Sequence, residues 1–106
     1  MSDKELEQYF RQTCFSERNA APAARLEAAL HMSGSDLRRR VNRLRRNGIP
    51  IASGKSGYFY AQTAHEVYRT ILQLRQMERG LQQAVEGLEG AMRGFGERGE
   101  HGPGGN

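Results

Sequence analysis

The sequence predicts a mainly α fold with a small β-hairpin, followed by a long C-terminal helix. Three observations predict it. Apolar residues recur at helical spacing in three short segments: Leu6/Phe10/Cys14, Leu26/Ala29/Leu30 and Leu37/Val41/Leu44. Two short runs, IPIAS at 49–53 and GYFYA at 57–61, flank a turn, Gly54-Lys55-Ser56-Gly57. From Val67 to Met92 the apolar residues follow an alternating four-three rhythm.

The first helix is expected over residues 3–14. Ser2 or Asp3 can cap its start, and Glu5 and Glu7 sit favourably at the positive end of its dipole. Residues 15–21, FSERNAA, read as a loop. Pro22 suits the first turn of the second helix, which places Leu26, Ala29 and Leu30 inward. The third helix spans about 35–47. Ser33 or Ser35 can cap it, and Gly34 permits a tight turn before it. Asn47-Gly48 ends it, with Gly48 suited to a left-handed capping position.

In the hairpin, Ile49, Ile51, Tyr58 and Tyr60 are expected to share the inward alternation, with Phe59 competing with the tyrosines for it. Pro50 has no N–H, so the first strand is an edge or makes few ladder bonds. The long helix covers about 64–92. Glu78 alone breaks its heptad series, while Met77, Ala84 and Ala91 widen the apolar stripe. Gly80, Gly87, Gly90 and Gly94 each weaken it by about 1 kcal/mol relative to Ala. Its stripe therefore needs a cover. The expected organisation is a helix–hairpin domain over 1–62, a long helix for core packing and dimerisation over 63–93, and a disordered Gly-rich tail over 94–106.

Charge is concentrated. Residues 34–60 hold seven bases and one acid, Asp36, a net of +6. The whole chain carries +4, so the rest sums to −2. An exposed helix face normally mixes both signs, and this one does not. From Leu37 to Gly57 there are seven bases and no acid, and such a stretch on a folded helix suits a polyanion, drawn by phosphate charge and counterion release.

On a helical wheel Leu37, Val41 and Leu44 share one side. Ser35, Arg39, Asn42, Arg43 and Arg46 then point away from the core. Arg can contact a guanine edge and Asn an adenine edge in bidentate fashion. Arg38 and Arg45 on one flank and Arg40 on the other are better placed for phosphates. Ser33 and Ser35, at the helix start, can hold a phosphate with backbone N–H groups. Lys55 and Ser56 at the hairpin tip would reach a backbone or a minor groove. The candidate DNA-binding set is therefore Ser33, Ser35, Arg38, Arg39, Asn42, Arg43, Arg46, Lys55 and Ser56.

MS at 32–33, the Leu37/Val41/Leu44 spacing, NGIPI at 47–51 and SGYFY at 56–60 together resemble winged helix–turn–helix domains. The likeness is to the amino-terminal DNA-binding domain of biotin repressor-type proteins and to small phage-encoded helix–turn–helix proteins. It covers about 30 of the 106 residues strongly. What it implies is a fold and a DNA-binding face, not biotin chemistry. The expected function is a sequence-specific double-stranded DNA-binding protein, a transcriptional regulator of phage or mobile-element type. The rival expectation is a phage-encoded inhibitor or adaptor that binds a host nucleic-acid-processing protein.

In the long helix, Val67 to Leu74 are expected to pack on the domain. Leu74, Leu81, Val85, Leu88 and Met92 are expected to form a homodimer seam. Other chemistry finds little support. Gly54-Lys55-Ser56 has the end of a P-loop, but Ile49 stands where that loop needs glycine. His31, His65 and His101 are scattered, so no metal or acid–base cluster, no cofactor and no catalytic residue is expected. Cys14 is alone and reads as a small buried hydrophobe. No stretch reaches the ~18 apolar residues of a membrane span, and MSDKELEQ is too acidic for a signal peptide. A cytoplasmic location is expected.

Overall fold

Ser2 starts the first helix, α1 (Asp3–Thr13), through a reciprocal capping box. Its hydroxyl accepts from the Glu5 N–H at 3.1 Å, and its own N–H donates to the Glu5 carboxylate at 2.8 Å. The computed structural model describes residues 1–97. After α1 come a short 3-10 turn (Glu17–Asn19), α2 (Ala23–Leu30), α3 (Gly34–Arg46), strands β1 (Ile51–Gly54) and β2 (Gly57–Tyr60), and α4 (Ala64–Glu97). The expected mainly α fold with a small hairpin and a long last helix is what the chain adopts.

Residues Met1–Ile71 form one compact unit, and the rest of α4, from Leu72, belongs to a second. Leu6, Phe10, Leu26, Leu37, Val41 and Leu44 make the first unit's core, each at most 2 % exposed. Cys14 lies among them, and burial pushes its thiol pKa up. Phe10 meets Tyr9 and Tyr58 edge-to-face, with ring centroids 6.5 Å apart in both pairs. Removing a buried ring such as Phe10 costs about 3–5 kcal/mol.

The hairpin pairs Ile51 with Tyr60, Ala52 with Phe59 and Ser53 with Tyr58. Because strand side chains alternate, Ile51, Tyr58 and Tyr60 turn toward the α1–α3 core. Ala52 and Phe59 turn the other way, into a second cluster with Ala61, Ala20 and Val67. The contest expected between Phe59 and the tyrosines does not arise, since both faces of the hairpin are covered.

Thr63 and Glu66 form a second capping box at the start of α4. The Thr70 hydroxyl accepts from the Ser53 N–H at 3.1 Å, which ties α4 to β1. Arg69 reaches Glu17 at 3.3 Å. Val67 and Thr70 therefore cover the hairpin as expected of this stretch, whereas Ile71 and Leu74 are exposed.

Several expectations are corrected. Ala29 is exposed, and only Leu26 of its helix is fully buried. Gly34 does not make the turn before α3 but is its first residue. The left-handed residue is His31, at φ 54°, whose N–H bonds to the Glu27 carbonyl and closes α2. Residues 15–21 are more than a loop. Ala21 and Tyr58 exchange backbone bonds at 2.9 Å, and the Ser16 N–H donates to the Tyr60 carbonyl at 2.9 Å. This segment thus lies along β2 without forming a full strand. Gly94 to Glu97, expected in the tail, continue α4, because each turn is held by bonds to the turn before it. The rest of the expected tail, 98–106, lies outside the described residues.

Candidate nucleic-acid interface

The site is built on α3. Ser33 caps it, its hydroxyl accepting from the Asp36 N–H at 3.1 Å. Leu37, Val41 and Leu44 are buried, which turns the opposite face outward. Gly48 follows the helix at φ 83°, the left-handed position expected of it. The chain then enters β1, and Gly54-Lys55-Ser56-Gly57 reverses it into β2. A P-loop would need a helix after Ser56. Strand β2 stands there instead.

Ser35, Arg38, Arg39, Asn42 and Arg46 are exposed, as are Lys55 and Ser56 at the hairpin tip. Ser35, Arg39, Asn42 and Arg46 follow one another at spacings that align on one helix face, a row about 16 Å long at 1.5 Å per residue. Ser33 is exposed too, its hydroxyl 3.3 Å from that of Ser35.

The arginines then divide by partner. Asp36 binds Arg39 and, at 3.1 Å, Arg40, and it sits in the first turn of the helix. The Arg39 hydrogen bond, followed by that of Arg40, holds the Asp36 carboxyl below its ordinary range. Arg40 also donates to the Met1 carbonyl at 2.7 Å. A phosphate approaching the start of α3 therefore meets a carboxylate already near those N–H groups.

Arg43 grips Asp3 of α1 through two bonds, at 2.6 and 2.8 Å. The Arg43 hydrogen bonds lower the Asp3 carboxyl, and the same contact raises the Arg43 guanidinium. Arg45 turns back to the hairpin. It donates to the Ile51 carbonyl at 2.8 Å and to the Ser53 hydroxyl at 3.3 Å, and it lies over the Tyr58 ring. Burial lowers its pKa. Arg45, expected on a phosphate-holding flank, is thus a strut between α3 and the hairpin. Its carbon stem and ring contact compete successfully with solvent.

Arg38, Arg46 and Lys55 make no side-chain hydrogen bond or ion pair within the described residues. Sequence reasoning did not single out Asp3 or Asp36 as counter-charges. The Asp36 pairs had a signal, since Arg39 and Arg40 follow it by three and four residues on a helix. The Asp3 pair had none, because it joins two helices distant in sequence.

No family model, curated protein or solved structure matches this chain. Among the described residues, no group of three or more His, Cys, Asp or Glu side chains could hold a metal ion. No helix among them is long and apolar enough to cross a membrane.

Proposed function

We propose that this chain is a sequence-specific double-stranded DNA-binding protein of winged helix–turn–helix type, acting in the cytoplasm as a transcriptional regulator. One observation carries the reading. An exposed polar row on α3, Ser35, Arg39, Asn42 and Arg46, lies opposite a fully buried stripe, and Lys55 stands at the tip of the adjoining hairpin. A helix so presented can enter a major groove while the hairpin tip meets the backbone. Arg39, Asn42 and Arg46 are assigned to base edges, Arg38 and Lys55 to phosphates. Arg43 joins them only when it leaves Asp3. The protein works as a homodimer through Leu74, Leu81, Val85, Leu88 and Met92, so that two heads read a two-fold site.

The test is binding to duplex DNA across a salt series. Replacing Arg38, Arg46 and Lys55 together by Ala should lower affinity and flatten the salt dependence by about two units of slope, one for each of the phosphate contacts of Arg38 and Lys55. Asn42→Ala should instead relax the preference among sequences recovered by selection from a random pool. An unchanged slope in the triple variant would overturn the face assignment. Co-purification with one host protein, free of nucleic acid, would replace the DNA reading by a protein-binding one.

A further inference from the structure

Within the second unit, the apolar side chains of α4 from Leu74 to Met92 stay open to solvent. Leu81 and Leu88 are 70 % and 71 % exposed, and Leu74, Val85 and Met92 are exposed beside them. The homodimer reading says that a second copy covers them. It does not say which way that copy runs, and the charges along α4 bear on this.

The heptad has two seam positions. Leu74, Leu81 and Leu88 occupy one (d), and Glu78, Val85 and Met92 the other (a). A parallel, in-register pair sets each seam residue against its own copy. Glu78 then faces the partner's Glu78, with Met77 and the partner's Met77 beside it and no cation across the seam. The residues that flank a parallel seam pair Met77 with the partner's Gln82, and Ala84 with the partner's Glu89. Neither is an attractive charge pair, while two carboxylates are forced together at a buried position.

An antiparallel pair centred on Gln83 removes that clash. Leu74 then packs on the partner's Met92, Leu81 on the partner's Val85, and Glu78 on the partner's Leu88. On one flank Arg75 meets the partner's Glu89, and the two-fold axis repeats this pair. Arg75 also lies one turn from Glu78 on its own helix, at a spacing that lets it face that carboxylate too. Gln82 meets its own copy near the axis. On the other flank Met77 lies opposite the partner's Ala91, large against small, and Ala84 meets its own copy, which lets the backbones approach. Sliding the pair by one heptad either way separates Arg75 from the partner's Glu89. The two helix dipoles also oppose one another in this arrangement.

We infer that a second copy of this chain docks on α4 antiparallel, with the two-fold axis at the level of Gln83 and Arg75 paired with the partner's Glu89. This rests on the homodimer reading above and adds the direction and register to it.

The test uses the full chain in a Cys14→Ala background, with a nitroxide placed at Gln83→Cys or, separately, at Arg93→Cys. Pulsed dipolar spectroscopy reads the distance between the two copies of each label, and sedimentation gives the mass. In the antiparallel dimer the Gln83 labels lie level with each other, separated only by the width of the pair, and the Arg93 labels are further offset along the axis by about 30 Å, twenty residues at 1.5 Å each. Equal distances at the two positions, in a dimer, would overturn the direction and leave the homodimer reading intact. A monomer at every concentration would overturn both.

Charge reversal gives an independent readout of the register. Arg75→Glu should weaken dimerisation about tenfold, since two ion pairs turn repulsive, and adding Glu89→Arg should restore it to within about twofold. No restoration, with helicity unchanged by circular dichroism, would overturn the register.

Discussion

Arg43 of α3 and Asp3 of α1, forty positions apart, are joined by two charge-assisted bonds at 2.6 and 2.8 Å. The pair braces the helix that carries the proposed reading face. It also occupies an arginine that DNA would otherwise attract. One carboxylate therefore serves the fold and opposes the ligand.

Asp3→Asn should separate these effects by moving them in opposite directions. Both partners are about one-third exposed, so the pair is screened and its loss should lower stability only slightly. Urea unfolding at neutral pH would measure this. Duplex affinity should rise at low salt, because Arg43 is released and one negative charge is gone, with a steeper salt dependence by about one unit. Equal or weaker DNA binding by this variant would remove Arg43 from the interface.

The neighbours Arg45 and Arg46 should behave as opposites. Arg45→Ala removes the donor that reaches the Ile51 carbonyl and the Ser53 hydroxyl, along with packing on Tyr58. A loss of about 1–3 kcal/mol is expected, with little change in salt dependence once folding is restored by temperature. Arg46 is exposed and has no such partner among the described residues. Its Ala variant should keep the wild-type unfolding midpoint and lose duplex affinity. Thermal melts beside anisotropy titrations would show whether the two residues divide in this way.

Two left-handed glycines should differ in cost. Gly48 has φ 83° and open space around its Cα, so Gly48→Ala meets only the backbone penalty of about 1–2 kcal/mol. Gly57 has φ 116°, and a Cβ there would sit 2.1 Å from the Ala21 carbonyl oxygen. That oxygen accepts the Tyr58 N–H, so it cannot yield without breaking the bridge to β2. Gly57→Ala should therefore destabilise by more than about 3 kcal/mol, or prevent folding. Denaturant midpoints of the two variants would rank them.

Features set by neighbours in the chain were legible in the sequence. The Ser33 cap, the buried Leu37/Val41/Leu44 stripe, the left-handed Gly48 and the Gly54–Gly57 turn are all local, set by backbone geometry within a few residues. The same periodicity showed which side of α3 faces water. It did not show what else holds the arginines. His31 rather than Gly34 makes the left-handed turn between α2 and α3, because the turn is closed by the bond to the Glu27 carbonyl and not by the residue of least steric cost.

By itself, then, the sequence determined the order of helices and hairpin and placed a run of bases on an exposed face, since helical period and turn chemistry act over short range. Only the tertiary structure decided which of those bases are open. Arg43 meets Asp3 because α1 packs beside α3, and Arg45 meets the Ile51 carbonyl because the hairpin folds back on the same helix. Both are contacts between elements brought together by burial of Leu6, Phe10 and Ile51, and no residue spacing encodes them. Arg38, Arg46 and Lys55 remain facing outward, with Arg39 half engaged by Asp36, and the proposed DNA-binding face rests on these.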